Sequence, residues 1–249
     1  YKRQYIHCAP VMKDQTTKLS KRNGDASFED IVEKGYLPEA VVNFIALLGW
    51  VPKGEEEIFS LEELAKEFDV SGISKSPAIF DPVKLKAVNA AHIRRMSPES
   101  FLEHAEPYIR QTVKREDIDL EVLASVLQPR TELFNDIPEM VDFIDKLPEY
   151  DISMYRHKKM KTTEESSLEA LKAVLPVLEN VSEWNNENIH KALFDLIASM
   201  EVKNGYILWP VRTAVSGKQF TPGGAVELCE IIGKEESIAR IKKGIEKLS

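Results

Sequence analysis

The sequence predicts an all-α protein, because helix start signals recur along its 249 residues. Ser27 with Asp30, and Ser60 with Glu63, have the spacing of a capping box, in which each residue's side chain bonds the other's backbone N–H. Pro38 precedes an apolar run, as proline does at the first position of a helix. Strand-like or extended segments are confined to the first dozen residues ("QYIHCAPVM") and to "GYILWPV" further on.

The helices are expected in the following order. "FEDIVEK" follows Ser27 and ends at Gly35, and the run from Pro38 to Trp50 places its apolar residues at helical spacing. Two further helices open at proline, in "DPVKLKAVNAAHIRRM" and "SPESFLEHAEPYI". The remaining expected helices are "LEELAKEF" after Ser60, Asp117–Leu127, Ile137–Leu147, Ser167–Glu179, Glu187–Met200, Gly224–Ile232 and Glu236–Leu248.

Composition indicates an ordinary globular chain with an uneven charge. The formal net charge is −8, and the segment Glu99–Glu149 accounts for all of it, with 13 acidic and 5 basic side chains. The rest is neutral overall and carries two basic clusters, "YRHKKMK" at Tyr155–Lys161 and the segment Lys203–Lys218. Because the location of charge matters more than its sum, an RNA partner is not excluded. The polar stretch "EYDISMYRHKKMKTTEES" is expected to be a loop or linker.

No complete active site is visible in the sequence. The five histidines are scattered, Cys8 and Cys229 stand alone without zinc spacing, and no Gly-x-Gly-x-x-Gly or Walker loop occurs. The three tryptophans are expected to be packing residues. No apolar run approaches the length of a membrane span, and the first residues lack the apolar core of a signal peptide. We therefore expect a cytoplasmic protein without a metal site.

Three long segments resemble class I glutamyl-tRNA synthetases. "KLSKRNGDASFEDIVEKGYLPEAVVNFIALLGW" is similar to their second signature loop and the helices after it. "EIFSLEELAKEFDVSGISKSPAIFDPVKLKAVNAAHI" resembles their stem-contact helices. "NGYILWPVRTAVSGKQFTPGGAVELCEIIGKEESIARI" is similar to the C-terminal anticodon-binding subdomain of the bacterial enzymes.

The resemblance implies a domain order. Residues 1–26 would be an extended remnant of the catalytic domain with the signature loop, and 27–96 a helical stem-contact domain. Residues 97–150 and 151–249 would form two subdomains of an α-helical anticodon-binding domain. Since no His-x-Gly-His loop occurs and the first residue is not Met, we expect the C-terminal portion of a longer enzyme. An all-α anticodon-binding part also separates the chain from glutaminyl-tRNA synthetase, whose equivalent part is a β-barrel.

The resemblance places the loop residues Lys18, Ser20, Lys21 and Arg22 at the phosphates of ATP, with Lys21 as the strongest candidate. Lysine ammonium groups can neutralise charge that develops on phosphates during transfer. In the parent enzyme, ATP with Mg²⁺ and glutamate would form glutamyl-adenylate. No cofactor is expected on this chain alone, where the loop would lack the rest of its site.

The resemblance also assigns anticodon contacts. Arg212 aligns with an arginine that the family uses on an anticodon base, and Thr221 and Pro222 align with contacts to the neighbouring base. Gly224 stands where family members can carry a larger apolar residue, so its contact would be through the backbone. A helix N-cap at Thr221 with proline in the first turn is the structural alternative, and it is compatible with RNA binding. Arg130 in "LQPRTEL" is the candidate for the third anticodon base.

These observations favour an RNA-binding part of a bacterial-type glutamate–tRNA ligase, monomeric, with the glutamate tRNA as partner and neither DNA nor a membrane. The alternative is a freestanding helical RNA-binding or protein-interaction module, in which the Lys18 loop is only a surface turn. The upstream reading frame would distinguish the two.

The first prediction concerns catalysis. Because the first signature loop does not occur in this sequence, the 249-residue chain should not catalyse glutamate-dependent exchange between ATP and pyrophosphate. Exchange above a buffer control would contradict this. In a full-length enzyme, Lys21→Ala should slow glutamate activation far more than it weakens glutamate binding, because the cation acts on charge that develops in the transition state. An equal loss in both would indicate a structural role.

Overall fold

The structure is a computed structural model that describes residues 5–20 and 27–249. Within these residues the chain forms twelve α-helices and one sheet of two short strands. The all-α prediction is confirmed. The predicted loop residues Lys21 and Arg22 lie outside the described residues.

The chain divides into two compact units. The first contains the described residues up to Phe101 together with Gln128–Asp136. The second contains Leu102–Leu127 and Ile137–Ser249. The division into four segments at residues 26, 96 and 150 stays a prediction.

Helices of the first unit begin at the predicted capping residues. The Ser27 hydroxyl accepts from the backbone N–H of Asp30 at 3.2 Å, and the Asp30 carboxylate accepts from the Ser27 N–H at 2.7 Å. Ser60 and Glu63 repeat both bonds. These bonds satisfy N–H groups that the first turn leaves without helical partners. The helices are α1 (Phe28–Glu33), α2 (Pro38–Gly49), α3 (Leu61–Glu67) and α4 (Pro82–Arg95), with the start of α5 (Pro98–Thr112).

The short sheet joins two segments that are distant in sequence. Strand β1 (Val11–Met12) pairs in parallel with β2 (Ala78–Ile79), with Val11 opposite Ala78. The extended conformation predicted for the first dozen residues is confirmed at β1, whereas β2 was not predicted. A two-residue strand has no periodic pattern to detect, and its stability comes from the partner strand.

A buried amide organises the core between α2 and α4. The Asn43 side chain donates to the Glu57 carbonyl at 3.0 Å and accepts from the Phe59 N–H at 2.9 Å. His92 Nε2 lies 2.9 Å from the same Asn43 oxygen. Because an amide oxygen can only accept, Nε2 must carry the proton. The side chains of α2 and α4 therefore hold the connection between α2 and α3 through hydrogen bonds.

In the second unit, α10 is the central helix and contacts α8, α9, α11 and α12. The strand-like interpretation of "GYILWPV" is wrong, because these residues lie in α10 with Pro210 inside the helix. Ile207, Val211 and Ala214 are buried at helical spacing, so packing against the four neighbouring helices outweighs the helical hydrogen bond that Pro210 cannot make. The helices are α6 (Leu120–Leu127), α7 (Ile137–Val141), α8 (Glu164–Glu179), α9 (Asn186–Ser199), α10 (Asn204–Ser216), α11 (Ala225–Ile232) and α12 (Lys234–Leu248).

The helix predicted at Ile137–Leu147 ends early, at Val141. The carbonyls of Phe143 and Ile144 instead accept hydrogen bonds from the Arg240 guanidinium, both at 2.8 Å. A long-range charged donor thus replaces the helical partners that continuation of α7 would have supplied.

Arg240 is completely buried in α12. Besides its bonds to the two carbonyls after α7, it donates to the Val215 carbonyl at 2.7 Å and to the Glu236 carboxylate at 2.6 Å. Val215 lies in the last turn of α10, where carbonyls have no helical partner and attract a cation. One side chain therefore connects α12, α10 and the segment after α7.

Loss of Arg240 should destabilise the second unit. Arg240→Met keeps much of the side-chain volume but leaves three buried carbonyls without donors. The expected decrease in the free energy of unfolding is about 3–5 kcal/mol, the range found when one partner of a buried charged network is removed. Urea titration followed by circular dichroism measures it. Arg156→Met is the matched control, since Arg156 makes an exposed ion pair with Glu164 and its loss should produce no comparable change.

His92 should make stability depend on pH. Burial lowers the pKa of its imidazole below the usual 6.5, with smaller effects from Glu39, Arg95 and Glu63. Below about pH 6.5 the unfolded chain therefore binds more protons at this residue than the folded chain. The free energy of unfolding should decrease as the pH falls through this region and should be fully retained above it.

His92→Gln removes the titration while keeping an N–H donor for Asn43. Its urea-unfolding profile between pH 5 and pH 7.5, about the range in which imidazoles titrate, should be flatter than that of the parent. The exposed His190→Gln is the control for replacing a histidine at the surface. Parallel profiles for the parent and His92→Gln would refute the assignment.

Candidate nucleic-acid interface

Arg212 lies on α10 and contacts the loop that follows this helix. Its guanidinium donates to the Thr221 hydroxyl at 3.2 Å and to the Gln219 carbonyl at 2.8 Å. It also lies over the Trp209 ring, 4.3 Å from the ring centroid, in cation–π geometry. Burial lowers the pKa of the guanidinium from its ordinary value. Its Nε is buried without a hydrogen-bond partner, so Arg212 has donor capacity that the described residues do not use.

The 217–224 loop, from Gly217 to Gly224, connects α10 to α11. Gly217 ends α10 in the left-handed conformation, with φ of 60°, which glycine adopts without steric cost. Thr221 accepts from Arg212 and in turn donates to the Gly223 carbonyl at 2.7 Å. The loop is thus fixed by its own hydroxyl and by the preceding helix.

The expected N-cap at Thr221 is wrong. Helix α11 begins at Ala225, and the extended N-cap residue is Gly224, without a side-chain cap bond. Pro222 is buried in the loop and precedes the helix. Thr221 lies four residues before Ala225, and its hydroxyl bonds Arg212 and Gly223 instead. A threonine followed by proline is compatible both with a helix N-cap and with a loop. The hydrogen bond from Arg212 belongs to the loop arrangement.

Glu227 forms no ion pair with Arg212 among the described residues. Its carboxylate lies against Gly224, where a Cβ atom would come within 2.8 Å of Oε2. Any larger residue at 224 would therefore displace that carboxylate. Arg212 keeps its positive charge without a neutralising ion pair in the described part of the chain.

The predicted basic loop, Tyr155–Lys161, packs against α10. The His157 ring contacts the Trp209 ring in a tilted arrangement, with ring centroids 4.0 Å apart and the planes inclined by 50°. The loop closes through reciprocal backbone bonds between His157 and Thr162, at 3.2 and 3.3 Å. Met160 lies so close to Gly205 that a Cβ there would overlap its sulfur. The two basic clusters of the sequence therefore meet at Trp209, whose own indole N–H donates to the Met154 carbonyl at 3.0 Å.

Three exposed cations project from this basic loop. Lys158, Lys159 and Lys161 form no ion pair with any residue that the structure describes. Lys218, in contrast, is engaged by the Asp142 carboxylate at 2.7 Å. Helix α8 begins at Glu164, three residues earlier than predicted, so less of the polar stretch is loop than expected.

Arg130 is assigned to the other unit. It ends a 3₁₀ turn at Gln128–Arg130 in the first unit and is exposed. The structure therefore places Arg212 on α10, Thr221, Pro222 and Gly224 in the loop after it, and Arg130 in the first unit. Trp209, predicted only as a packing residue, contacts Arg212 and His157.

Lys18 and Leu19, at the start of the loop that resembles the second signature loop, pair with strand β1. Lys18 forms an antiparallel bridge with Met12, and the Leu19 N–H donates to the Val11 carbonyl at 3.0 Å. The intervening turn is stabilised by Asp14, whose carboxylate accepts from the N–H groups of Thr16 and Thr17. These bonds lower the pKa of Asp14 to about 2. Lys18 is exposed and Ser20 half-buried.

Within the described residues, no group of three or more histidine, cysteine or acidic side chains is placed to hold a metal ion. No helix in these residues combines the length and apolar character that crossing a membrane requires.

Two family models match the chain. Residues 100–245 match an anticodon-binding domain, and residues 1–87 match the catalytic domain of class I tRNA synthetases for glutamate and glutamine (E and Q). The helical second unit and its arginine-centred loop lie within the first match. These matches define the class as a class I aminoacyl-tRNA synthetase.

Similar proteins identify the family within this class. Glutamate–tRNA ligases of Clostridium acetobutylicum and Clostridium tetani are each 58% identical over 98% of this chain. A crystal structure of a glutamate tRNA ligase from Elizabethkingia meningosepticum, in complex with its amino acid, has a TM-score of 0.79 at 28% identity, covering 97% of this chain and 51% of that one. The chain belongs to the glutamate–tRNA ligase family. It spans about half (50%) of the length of the Clostridium relatives.

Proposed function

We propose that this chain supplies the tRNA-binding part of a glutamate–tRNA ligase and reads the anticodon with Arg212 and the 217–224 loop. The observation that carries the proposal is the placement of Arg212. It is half-buried, lacks an ion pair among the described residues, and is held by Trp209, Thr221 and Gln219. A fixed guanidinium with unused donors suits the edge of an unpaired base.

The parent enzyme would activate glutamate with ATP and Mg²⁺ and then esterify it to the terminal adenosine of its tRNA, as a monomer in the cytoplasm. Lys18 and Ser20, with Lys21 and Arg22, would contact the ATP phosphates. A cation and a hydroxyl are suitable groups for phosphate oxygens, and the bonds of Leu19 to Val11 fix where this loop starts. These residues would orient the phosphates and stabilise charge on them.

The local geometry supports the proposed anticodon contacts. Arg212 bonds the loop with one N–H from each terminal nitrogen, and each of these nitrogens carries a second N–H. Thr221, Pro222 and the backbone at Gly224 would contact the neighbouring base. Close approach at Gly224 requires that no side chain intervenes, and the adjacent Glu227 carboxylate would accept from base amino groups.

The basic loop would contact RNA phosphates. Lys158, Lys159 and Lys161 are exposed without ion pairs among the described residues, on a loop that is fixed to α10 through Trp209. Lysine binds phosphate as a point charge, without regard to base identity. Arg130 remains a candidate for the third anticodon base.

The anticodon assignment predicts different effects for the two kinds of cation. Arg212→Lys keeps the charge but removes the donor fork. Discrimination between the cognate tRNA and an anticodon-mutated tRNA should fall by about 1–3 kcal/mol, the scale of one good bidentate base contact. The Kd ratio of the two RNAs, measured at fixed salt with this chain, tests the prediction.

The matched control is Lys159→Ala. It should weaken both RNAs equally and reduce the salt dependence of binding by about one counterion, as loss of a phosphate contact does. An unchanged Kd ratio in Arg212→Lys would remove Arg212 from base reading. A changed ratio in Lys159→Ala would contradict the phosphate assignment.

A further inference from the structure

Phe220 has the most exposed side chain among the large hydrophobic residues that the structure describes, at 83%. A single exposed apolar residue is common on protein surfaces and needs no explanation by itself. Phe220 differs because hydrogen bonds fix the loop residues on both sides of it, while its ring is not packed. It stands at the tip of the 217–224 loop, next to the residues assigned to anticodon reading.

Arg212 holds the residues on both sides of Phe220. One terminal nitrogen of the guanidinium bonds the Gln219 carbonyl at 2.8 Å, and the other bonds the Thr221 hydroxyl at 3.2 Å. Lys218, two residues before Phe220, is tied to the Asp142 carboxylate and the Glu139 carbonyl. The backbone that carries the ring is therefore ordered before any ligand arrives, which lowers the entropy cost of using the ring in binding.

The chemistry around the ring favours a nucleobase over an apolar protein surface. The other exposed large hydrophobic residues in the described part of the second unit are Ile152 at 43% and Met160 at 41%, so Phe220 does not belong to an extended apolar patch. A protein interface generally has a contiguous core with several apolar anchors. An isolated, exposed aromatic ring, on a loop whose backbone a guanidinium holds, suits stacking on an unpaired base of single-stranded nucleic acid.

We propose that Phe220 is a stacking platform for one unpaired base of the anticodon loop, and that Arg212 positions it. The inference rests on the proposed function, which it deepens by adding a contact and a second role for Arg212. Stacking depends on the flat face shared by all bases, so Phe220 should add affinity without choosing between bases. Base selectivity would remain with the hydrogen-bonding groups of Arg212 and Thr221.

The test measures binding of this chain to the anticodon stem-loop RNA of the glutamate tRNA, labelled for fluorescence anisotropy, at fixed salt. Phe220→Leu keeps an apolar side chain but removes the planar ring, and Phe220→Tyr keeps the ring. We expect Phe220→Leu to raise Kd roughly 5- to 150-fold, the range for a lost base-stacking contact. Phe220→Tyr should stay close to the parent.

A series of stem-loops, each with one abasic loop nucleotide, locates the contact. The parent should lose affinity strongly at one position, and Phe220→Leu should be insensitive at that position while responding normally at the others. Tyr5→Leu is the control for removing an aromatic ring of similar exposure, 77%, from the first unit, and it should leave the abasic profile unchanged. Circular dichroism melting should be the same for all variants, since neither ring is packed.

The outcomes separate the two proposals. If the parent prefers the cognate anticodon and Phe220→Leu binds every RNA as the parent does, the stacking role is overturned and the proposed function stands. Equal weakening of Phe220→Leu and Phe220→Tyr, with unchanged abasic profiles, also overturns stacking. If the parent binds cognate and scrambled loops with equal affinity, anticodon reading itself is refuted, and the role of Phe220 with it.

Discussion

The buried guanidinium of Arg240 is the interaction on which the second unit depends. It joins α12 to the Val215 carbonyl in the last turn of α10 and to two carbonyls after α7. Removing a charge from water is costly, and it is tolerated only where several good hydrogen bonds replace the lost hydration. Here three carbonyls and the Glu236 carboxylate do so. The arrangement fixes the end of α10, from which the 217–224 loop departs.

A second guanidinium continues this order into the loop. Arg212 lies one helical turn before Val215, whose carbonyl accepts from Arg240. The Arg212 guanidinium bonds Gln219 and Thr221. Both arginines use the same fork of donors, but they differ in burial. Arg240 has no exposed surface and serves structure, whereas Arg212 is only half-buried. This difference in solvent access separates a structural arginine from one that is available to a ligand.

Trp209 links the two basic segments into one surface. It contacts Arg212 through its ring face, His157 through a tilted ring contact and Met154 through its indole N–H. The segments are about fifty residues apart in sequence, and no pattern in either segment predicts that they are in contact. Under the proposed function, base contacts from Arg212 and phosphate contacts from the lysines of the loop against Trp209 would together give RNA recognition specificity and affinity.

The sequence by itself determined the helical class, the capping boxes and most helix boundaries, because these depend on residues within one turn of each other. It also indicated Arg212 and Thr221 as site residues through the family resemblance. Tertiary structure decided the features that depend on distant partners: the helical state of the Pro210 segment, the early end of α7 at Val141 and the use of the Thr221 hydroxyl for Arg212 rather than for a helix cap. The physical reason is the separation in sequence between the residues that interact. A cap competes only with local alternatives, whereas a buried guanidinium or a packed helix face can override local preference once the chain brings distant segments together.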